Sequence, residues 1–255
     1  MANKLAGLNS YQKRFMDIFY SLTHRHNSWQ IWTDFTTIAA CAISNCIDTR
    51  HREEREKLYM DTIQKYERDE LLQFPKLIAA TVDALDDNPE QDYLGVLFQL
   101  LELSSHWHGQ FFTPYSVCEM IATTQTEGLA ENVTEKGTIS VNDPACGAGA
   151  LLIAFANVSR KQGINYQNHI LFVGQDIDHT AAMMCYIQLS LLGCPGYVIV
   201  GDTLRHPPTI PLPKGYEIWY TPLYCSSVWH WRRTFKALDA VIGCGQAQLE
   251  GGESK

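Results

Sequence analysis

Ser140-Val141-Asn142-Asp143-Pro144-Ala145-Cys146-Gly147-Ala148-Gly149-Ala150-Leu151-Leu152-Ile153-Ala154-Phe155 is the stretch whose reading decides the fold. It reads as the end of a strand, a tight turn of small residues and the start of a helix. Gly147 and Gly149 allow positive φ and let a ligand come close to the main chain. Asp143 and Pro144 fix the entry to the turn, and the free N–H groups of a helix start suit an anionic or polar ligand group. Taken alone, a Gly-x-Gly turn is more often an ordinary βα connection, so its neighbours carry the decision.

Downstream, Ile170-Leu171-Phe172-Val173 is a short apolar run of buried-strand type, followed at once by Gly174-Gln175-Asp176-Ile177-Asp178. Thr180 to Leu192 has helical spacing. Tyr197-Val198-Ile199-Val200 is a third strand, ending in Gly201-Asp202-Thr203-Leu204. Three strand ends thus present a small-residue turn, an acid and an acid. An acid at the second strand end of a doubly wound sheet is set to hydrogen-bond ribose hydroxyls. The expected fold is α/β: an open, mostly parallel, Rossmann-like sheet with helices on both faces, preceded by a helical region.

These motifs resemble those of N6-adenine DNA methyltransferases, especially the modification subunits of type I restriction systems. Asp143-Pro144-Ala145-Cys146-Gly147-Ala148-Gly149 is similar to the family's cofactor motif. Gly109-Gln110-Phe111-Phe112-Thr113-Pro114, followed by a helix from Tyr115 to Thr124, is similar to the Phe-Thr-Pro stretch before it. Gly174-Gln175-Asp176 and Gly201-Asp202-Thr203-Leu204 match in order and spacing, so that the resemblance covers about residues 93–204. It implies that S-adenosylmethionine is the cofactor. Thr113 and the loop carrying Asp143, Ala145, Gly147 and Gly149 would hold its methionine part, Asp176 its ribose, with Asp178 as second choice, and Asp202 its adenine amino group. It also implies a division into a helical N-terminal region, 1–105, and a methyltransferase domain, 106–255.

The family's catalytic Asn or Asp, Pro, Pro and Tyr or Phe does not occur. Its nearest counterpart is Thr221-Pro222-Leu223-Tyr224, after the strand-like Tyr216 to Tyr220, at a distance from Asp202 that fits one more αβ unit. A second candidate is the strand-like Leu238 to Gly243, followed by Cys244-Gly245-Gln246. The exocyclic amine of adenine is a poor nucleophile, and the motif accepts its hydrogen bonds while an aromatic ring stacks on the flipped base. Pro222 and Tyr224 could keep the carbonyl geometry and the stacking, but Thr221 offers a short hydroxyl where an amide is usual. The alternative is an ordinary Pro-containing loop.

The 255 residues, 45% hydrophobic, suffice for one large domain or two smaller ones. The net charge of −8 argues against a generally basic nucleic-acid coat protein but leaves room for a local patch. No run of 18 or more apolar residues and no signal-like start appears, so a cytoplasmic protein without a membrane partner is expected. The eight cysteines form no Cys-x-x-Cys pair and read as buried, reduced thiols, Cys146 among them as a packing choice. His106 and His108 lack a third ligand nearby and read as loop residues, and His179 as a helix start; no metal is expected.

The N-terminal helices are expected to begin at a Ser10 cap, with Phe15, Ile18, Phe19 and Leu22 inward, and to continue over 29–47, with Ile31, Trp32, Phe35, Ile38, Ala39, Ala42 and Ile43 on one face. Arg50, Arg52 and Arg55, interleaved with Glu53, Glu54 and Glu56, read as a solvated helix surface more than as a phosphate-contacting face. Pro75 and residues 86–89 are expected to punctuate two further helices, the second over 93–103. Pro207, Pro208, Pro211 and Pro213 make 205–214 an extended loop, and 246–255 should fray. Near the end, Lys214, Arg232, Arg233 and Lys236 alternate with Trp219, Tyr220, Tyr224, Trp229 and Trp231. Such a mixture suits an unstacked base beside a phosphate backbone, or else aromatics covering a sheet whose edge the arginines solvate.

The expected function is therefore an adenine-N6 DNA methyltransferase with a degenerate catalytic motif. Its alternative is a catalytically inactive module of the same fold that binds DNA or a restriction-modification partner. No target-recognition domain is legible, so DNA and a specificity or restriction subunit are the expected partners.

Overall fold

A computed structural model describes residues 7–103, 112–207, 216–226 and 228–235. The chain opens with six helices: α1 (Ser10–Leu22), α2 (Ser28–Asn45), α3 (Arg52–Ile63), α4 (Arg68–Leu71), α5 (Gln73–Asp87) and α6 (Tyr93–Leu100). Two more, α7 (Tyr115–Gln125) and α8 (Leu129–Lys136), lead into the sheet region: β1 (Ile139–Asp143), α9 (Ala150–Lys161), α10 (Tyr166–His169), β2 (Ile170–Asp176), α11 (His179–Leu191), β3 (Gly196–Val200), β4 (Glu217–Tyr220) and α12 (Pro222–Cys225).

α1 starts from Asn9 and not from Ser10. The Asn9 side chain accepts from the Gln12 amide at 2.8 Å, and the Gln12 side chain accepts from the Asn9 amide, a reciprocal capping box. Phe15 and Phe19 point inward with Trp32 and Phe35 of α2, Phe15 and Phe35 meeting edge-on at 5.4 Å. Pro75 does not separate two helices. It lies in the first turn of α5, where its missing N–H has no partner to lose.

The sheet order is β1-β2-β3-β4, with β1, β2 and β3 parallel and β4 antiparallel to β3. Ile170 and Phe172 of β2, Val198 of β3 and Trp219 of β4 face the main core, which runs without a break into the N-terminal helices. The alternate residues Val173, Tyr197 and Ile199 build a smaller cluster on the other face with Ile218, Tyr220 and Tyr224. Of the 13 residues of α11, the ten from Thr180 to Leu189 are buried, because the helix has β2 and β3 on one side and α2 and α6 on the other. α2 is enclosed for the same reason over most of its length, while Ala42, expected inside, is exposed.

β4 departs from the expected αβ unit. Val200 pairs with Glu217 and Tyr197 with Tyr220, so the chain reverses after β3 and runs back along it. Residue 221 therefore lies beside the start of β3, at the opposite end of the sheet from the loops that follow β1, β2 and β3.

Arg55 corrects the solvated-surface expectation, since it is 4% exposed while Arg50 and Arg52 are exposed. Its Nη1 donates to Asp48 at 2.8 Å and to Ser44 Oγ, its Nη2 donates to the Ile218 carbonyl, and its guanidinium lies 4.1 Å from the Trp219 ring centre. A buried charge must be paired, and here the pairing joins α2, α3 and β4. The strand expected at 238–243, the prolines at 208, 211 and 213, His106 and His108, and the tail from 246 lie outside the described residues.

Gly196 tests how closely β2 and β3 approach. A Cβ there would stand 1.9 Å from the Phe172 carbonyl oxygen, a backbone atom that cannot swing aside. Gly196→Ala is expected to lower the unfolding free energy by about 2 kcal/mol or more, read as a fall in the denaturant midpoint.

Candidate functional site

A cleft of about 420 Å³ opens where the strands end. Thr113, Asp143, Ala145, Gly147 and Asp176, five of the seven cofactor residues expected from the sequence, line it together with Phe112, Cys146 and Ile177. β1 delivers Asp143 and the turn, β2 delivers Asp176, and the segment before α7 closes the side with Phe112 and Thr113.

The turn is held by the neighbouring strand. Asp176 Oδ2 accepts from the Gly147 amide at 2.8 Å, its Oδ1 accepts from the Asp178 amide at 2.9 Å, and the Cys146 amide donates to the Gln175 carbonyl at 2.9 Å. Gly147 has φ +53°, and a Cβ on it would stand 2.9 Å from the Phe112 ring, so the site needs glycine for both backbone and space. Asp143 Oδ1 accepts from the Ala145 amide at 3.2 Å. Burial, with the nearby Asp176 carboxylate adding to it, raises the Asp143 carboxyl above the usual range. Cys146 is a packing residue: contact with the Cys185 thiol and burial push its thiol up, and both sulfurs lie under Gly174.

Behind the turn stands a buried network with no signature in the sequence. Gln188 of α11 donates to the Ala148 carbonyl and to Asp92 Oδ1, both at 2.8 Å, and its carbonyl oxygen accepts from the Leu94 amide at 3.1 Å. Asp92 also caps α6 through the Gly95 amide at 2.9 Å. Gln188 is fully buried, and an amide with donors and acceptor all engaged holds the main chain of the turn in one position.

Other expected site residues have different work. Gly149 does not line the cleft; it has φ +96°, and a Cβ there would meet Cys185 Sγ at 2.9 Å, so it lets α9 pack on α11. Asp178 caps α11 through the Ala181 amide at 2.6 Å and is 4% exposed, which removes it as a ribose ligand. Asp202 Oδ1 accepts from the Leu204 and Arg205 amides at 2.9 and 3.3 Å, turning its carboxylate onto its own turn and away from the cleft. That turn still abuts the cofactor loop, since Thr203 Oγ1 donates to the Pro144 carbonyl at 2.6 Å.

The catalytic expectation for Thr221, Pro222 and Tyr224 is overturned. Thr221 is fully buried; its hydroxyl donates to the Cys194 carbonyl at 2.8 Å and accepts from the Gly196 amide at 2.9 Å, pinning the end of β4 to the start of β3. Pro222 is the first residue of α12, where a missing N–H has no cost. Tyr224 stacks on Tyr220 at 5.7 Å on the far face of the sheet. The antiparallel turn of β4 carries all three to the wrong end of the sheet for chemistry at the cofactor cleft.

Residues 91–237 match the family model described as N-6 DNA Methylase. A stretch of 133 residues is 24% identical to the type I restriction enzyme MjaIX methylase subunit of Methanocaldococcus jannaschii, covering 52% of this chain and 22% of that subunit. The chain thus spans about a fifth of that relative's length. Among solved structures, one assigned as a class I S-adenosylmethionine-dependent methyltransferase, from Listeria monocytogenes, aligns with TM-score 0.43 and 15% identity over 80% of this chain and 57% of that one.

Thr221→Val separates the structural from the catalytic role. It leaves the Gly196 amide and the Cys194 carbonyl unpaired, so it is expected to cost about 1–3 kcal/mol of stability, measured by denaturant titration, with unchanged S-adenosylmethionine affinity by calorimetry. Asp143→Asn is expected to do the reverse. A raised carboxyl pKa in the fold means stability is lost as pH rises through it, so removing the charge raises the melting temperature of the cofactor-free protein at neutral pH. It also weakens cofactor binding about tenfold or more, the scale of one missing charged hydrogen bond.

Proposed function

The chain belongs to the N-6 DNA methylase family, and on that footing we propose that it is an S-adenosylmethionine-dependent adenine-N6 DNA methyltransferase with a degenerate catalytic motif. S-adenosylmethionine is the cofactor expected of the family. The observation that carries the reading is the convergence of Thr113, Asp143, Ala145, Gly147 and Asp176 on one cleft at the strand ends.

The donor set fits that cofactor. Two carboxylates and no cationic side chain line the cleft, which suits a ligand with a sulfonium and an ammonium group. Its carboxylate finds the start of α9, where first-turn amides and the helix dipole favour negative charge. When bound, the cofactor supplies an electrophilic methyl group. Asp143 and Thr113 hold the methionine part. Asp176, though both its oxygens accept from amides, keeps a second lone pair on each for a ribose hydroxyl. Asp202 is assigned to its turn and not to the cofactor.

Thr221 is engaged with β3, so residues 221–224 do not orient the adenine amine. That observation favours a second reading, a non-catalytic module of the family that binds DNA or a restriction-modification partner. Similarity to a type I restriction methylase subunit supports a specificity or restriction subunit as that partner. No helix among the described residues is long and apolar enough to cross a membrane.

The test is nucleoside mass spectrometry on DNA from a host lacking adenine methylation, expressing this chain or its Asp143→Ala variant, beside cofactor calorimetry on both proteins. N6-methyladenine from the unmodified chain alone is the expected result. Cofactor binding without methylation selects the non-catalytic reading, and a folded chain that binds no cofactor overturns the proposal.

A further inference from the structure

A second and larger cleft, about 800 Å³, lies away from the cofactor loops, between the α2–α3 turn and residues 220–234. Its volume falls in the roughly 300–1,000 Å³ range of small-molecule sites. Asp48, Arg50, Tyr220, Tyr224, His230 and Arg233 are among its walls. Tyr220 pairs with Tyr197 near the start of β3, so the cleft belongs to the end of the sheet opposite the Gly147 turn.

Its charge is unusual for a chain of net charge −8. Elsewhere Arg14, Arg25 and Arg160 each face a carboxylate. In this cleft neither Arg50 nor Arg233 forms an ion pair among the described residues. The carboxylate in the wall, Asp48, is already taken: Arg55 donates to it at 2.8 Å, its Oδ2 stands 2.8 Å from His51 Nδ1, and its Oδ1 accepts from the Arg50 amide at 3.1 Å.

Arg233 is held in place without being neutralised. Its guanidinium stands 4.4 Å from the Tyr224 ring centre, and its Nε is buried with no hydrogen-bond partner. The opposite face of Tyr224 is stacked on Tyr220 at 5.7 Å, so the two rings are occupied with each other and with Arg233. They serve to position the cation, and what remains open to a ligand is positive charge and N–H donors. Arginine in a fixed orientation suits a tetrahedral oxyanion with several acceptor oxygens.

We propose that this cleft is a phosphate-binding site, in which Arg50 and Arg233 hold a phosphate ester carried by a nucleic-acid backbone or by a free nucleotide. In the nucleic-acid case the inference rests on the DNA reading given above, and the phosphate held is one remote from the nucleotide at the cofactor cleft.

The test uses the full chain, with fluorescence anisotropy on a labelled oligonucleotide, single- and double-stranded, and calorimetry with inorganic phosphate and with a nucleoside monophosphate. Arg50 is exposed, so Arg50→Gln tests the charge without touching the core; Arg50→Gln/Arg233→Gln removes both cations, and Arg52→Gln, on the exposed start of α3 outside the cleft, is the control. The expected result is an oligonucleotide affinity weaker by about tenfold or more in the double variant, a salt slope shallower by about one for each cation removed, and little change with Arg52→Gln. Binding of phosphate or the monophosphate alone, abolished in the same variants, supports the site and assigns it to a free ester. If no phosphate compound binds, or if the cleft variants weaken binding no more than Arg52→Gln, the proposal is overturned. Cofactor affinity, read in parallel, is unchanged in these variants, so failure here is distinct from failure of the methyltransferase reading.

Discussion

Two oxygens of one carboxylate organise the strand ends. Asp176, at the end of β2, holds the Gly147 amide with one oxygen and the Asp178 amide with the other. The first bond fixes the turn after β1, and the second fixes the entry to α11, which Asp178 then caps. Without it the positive-φ turn would have no external anchor at its centre, and the cleft would lose its floor. Charge-assisted hydrogen bonds to amides are strong enough for this task, each contributing roughly 1.5–3 kcal/mol when shielded from water.

How much of the molecule is legible in its sequence follows from where each signal resides. The strands β1, β2 and β3, the turn, and the acids after β2 and β3 are local patterns: apolar runs of four or five residues ended by Gly and Asp, with a helical period between them. Such patterns survive in a linear reading because the partner groups lie close in sequence or at a fixed place in the topology. The β4 reversal is not legible, since Glu217 to Tyr220 reads as a strand in either direction and only the pairing with Tyr197 to Val200 gives it a sense. The mistaken role of Thr221 comes directly from that missing direction.

Arg55, Asp92 and Gln188 are illegible for another reason. A charged or amide side chain within a helix reads as surface unless its partners are known, and the partners here are distant: Ile218 for Arg55, and Ala148 and Asp92 for Gln188. Asp178 shows the opposite confusion, because an acid just after a strand is equally well suited to bind a ribose and to cap the following helix. Its Ala181 contact at 2.6 Å and its burial decide for the cap.

The burial of α11 between the sheet and α2 also bears on how the molecule comes apart. The residues of α11 that face away from β2 and β3 are covered by α2 and α6, so the helices before residue 104 supply a wall of the sheet's own core. Stripping that wall would open apolar surface on the very helix that Asp178 caps and from which Gln188 reaches the Gly147 turn. The N-terminal helices and the strands thus form one cooperative unit, in which the slowest-exchanging amides of β2 and those of α2 should share a common opening event.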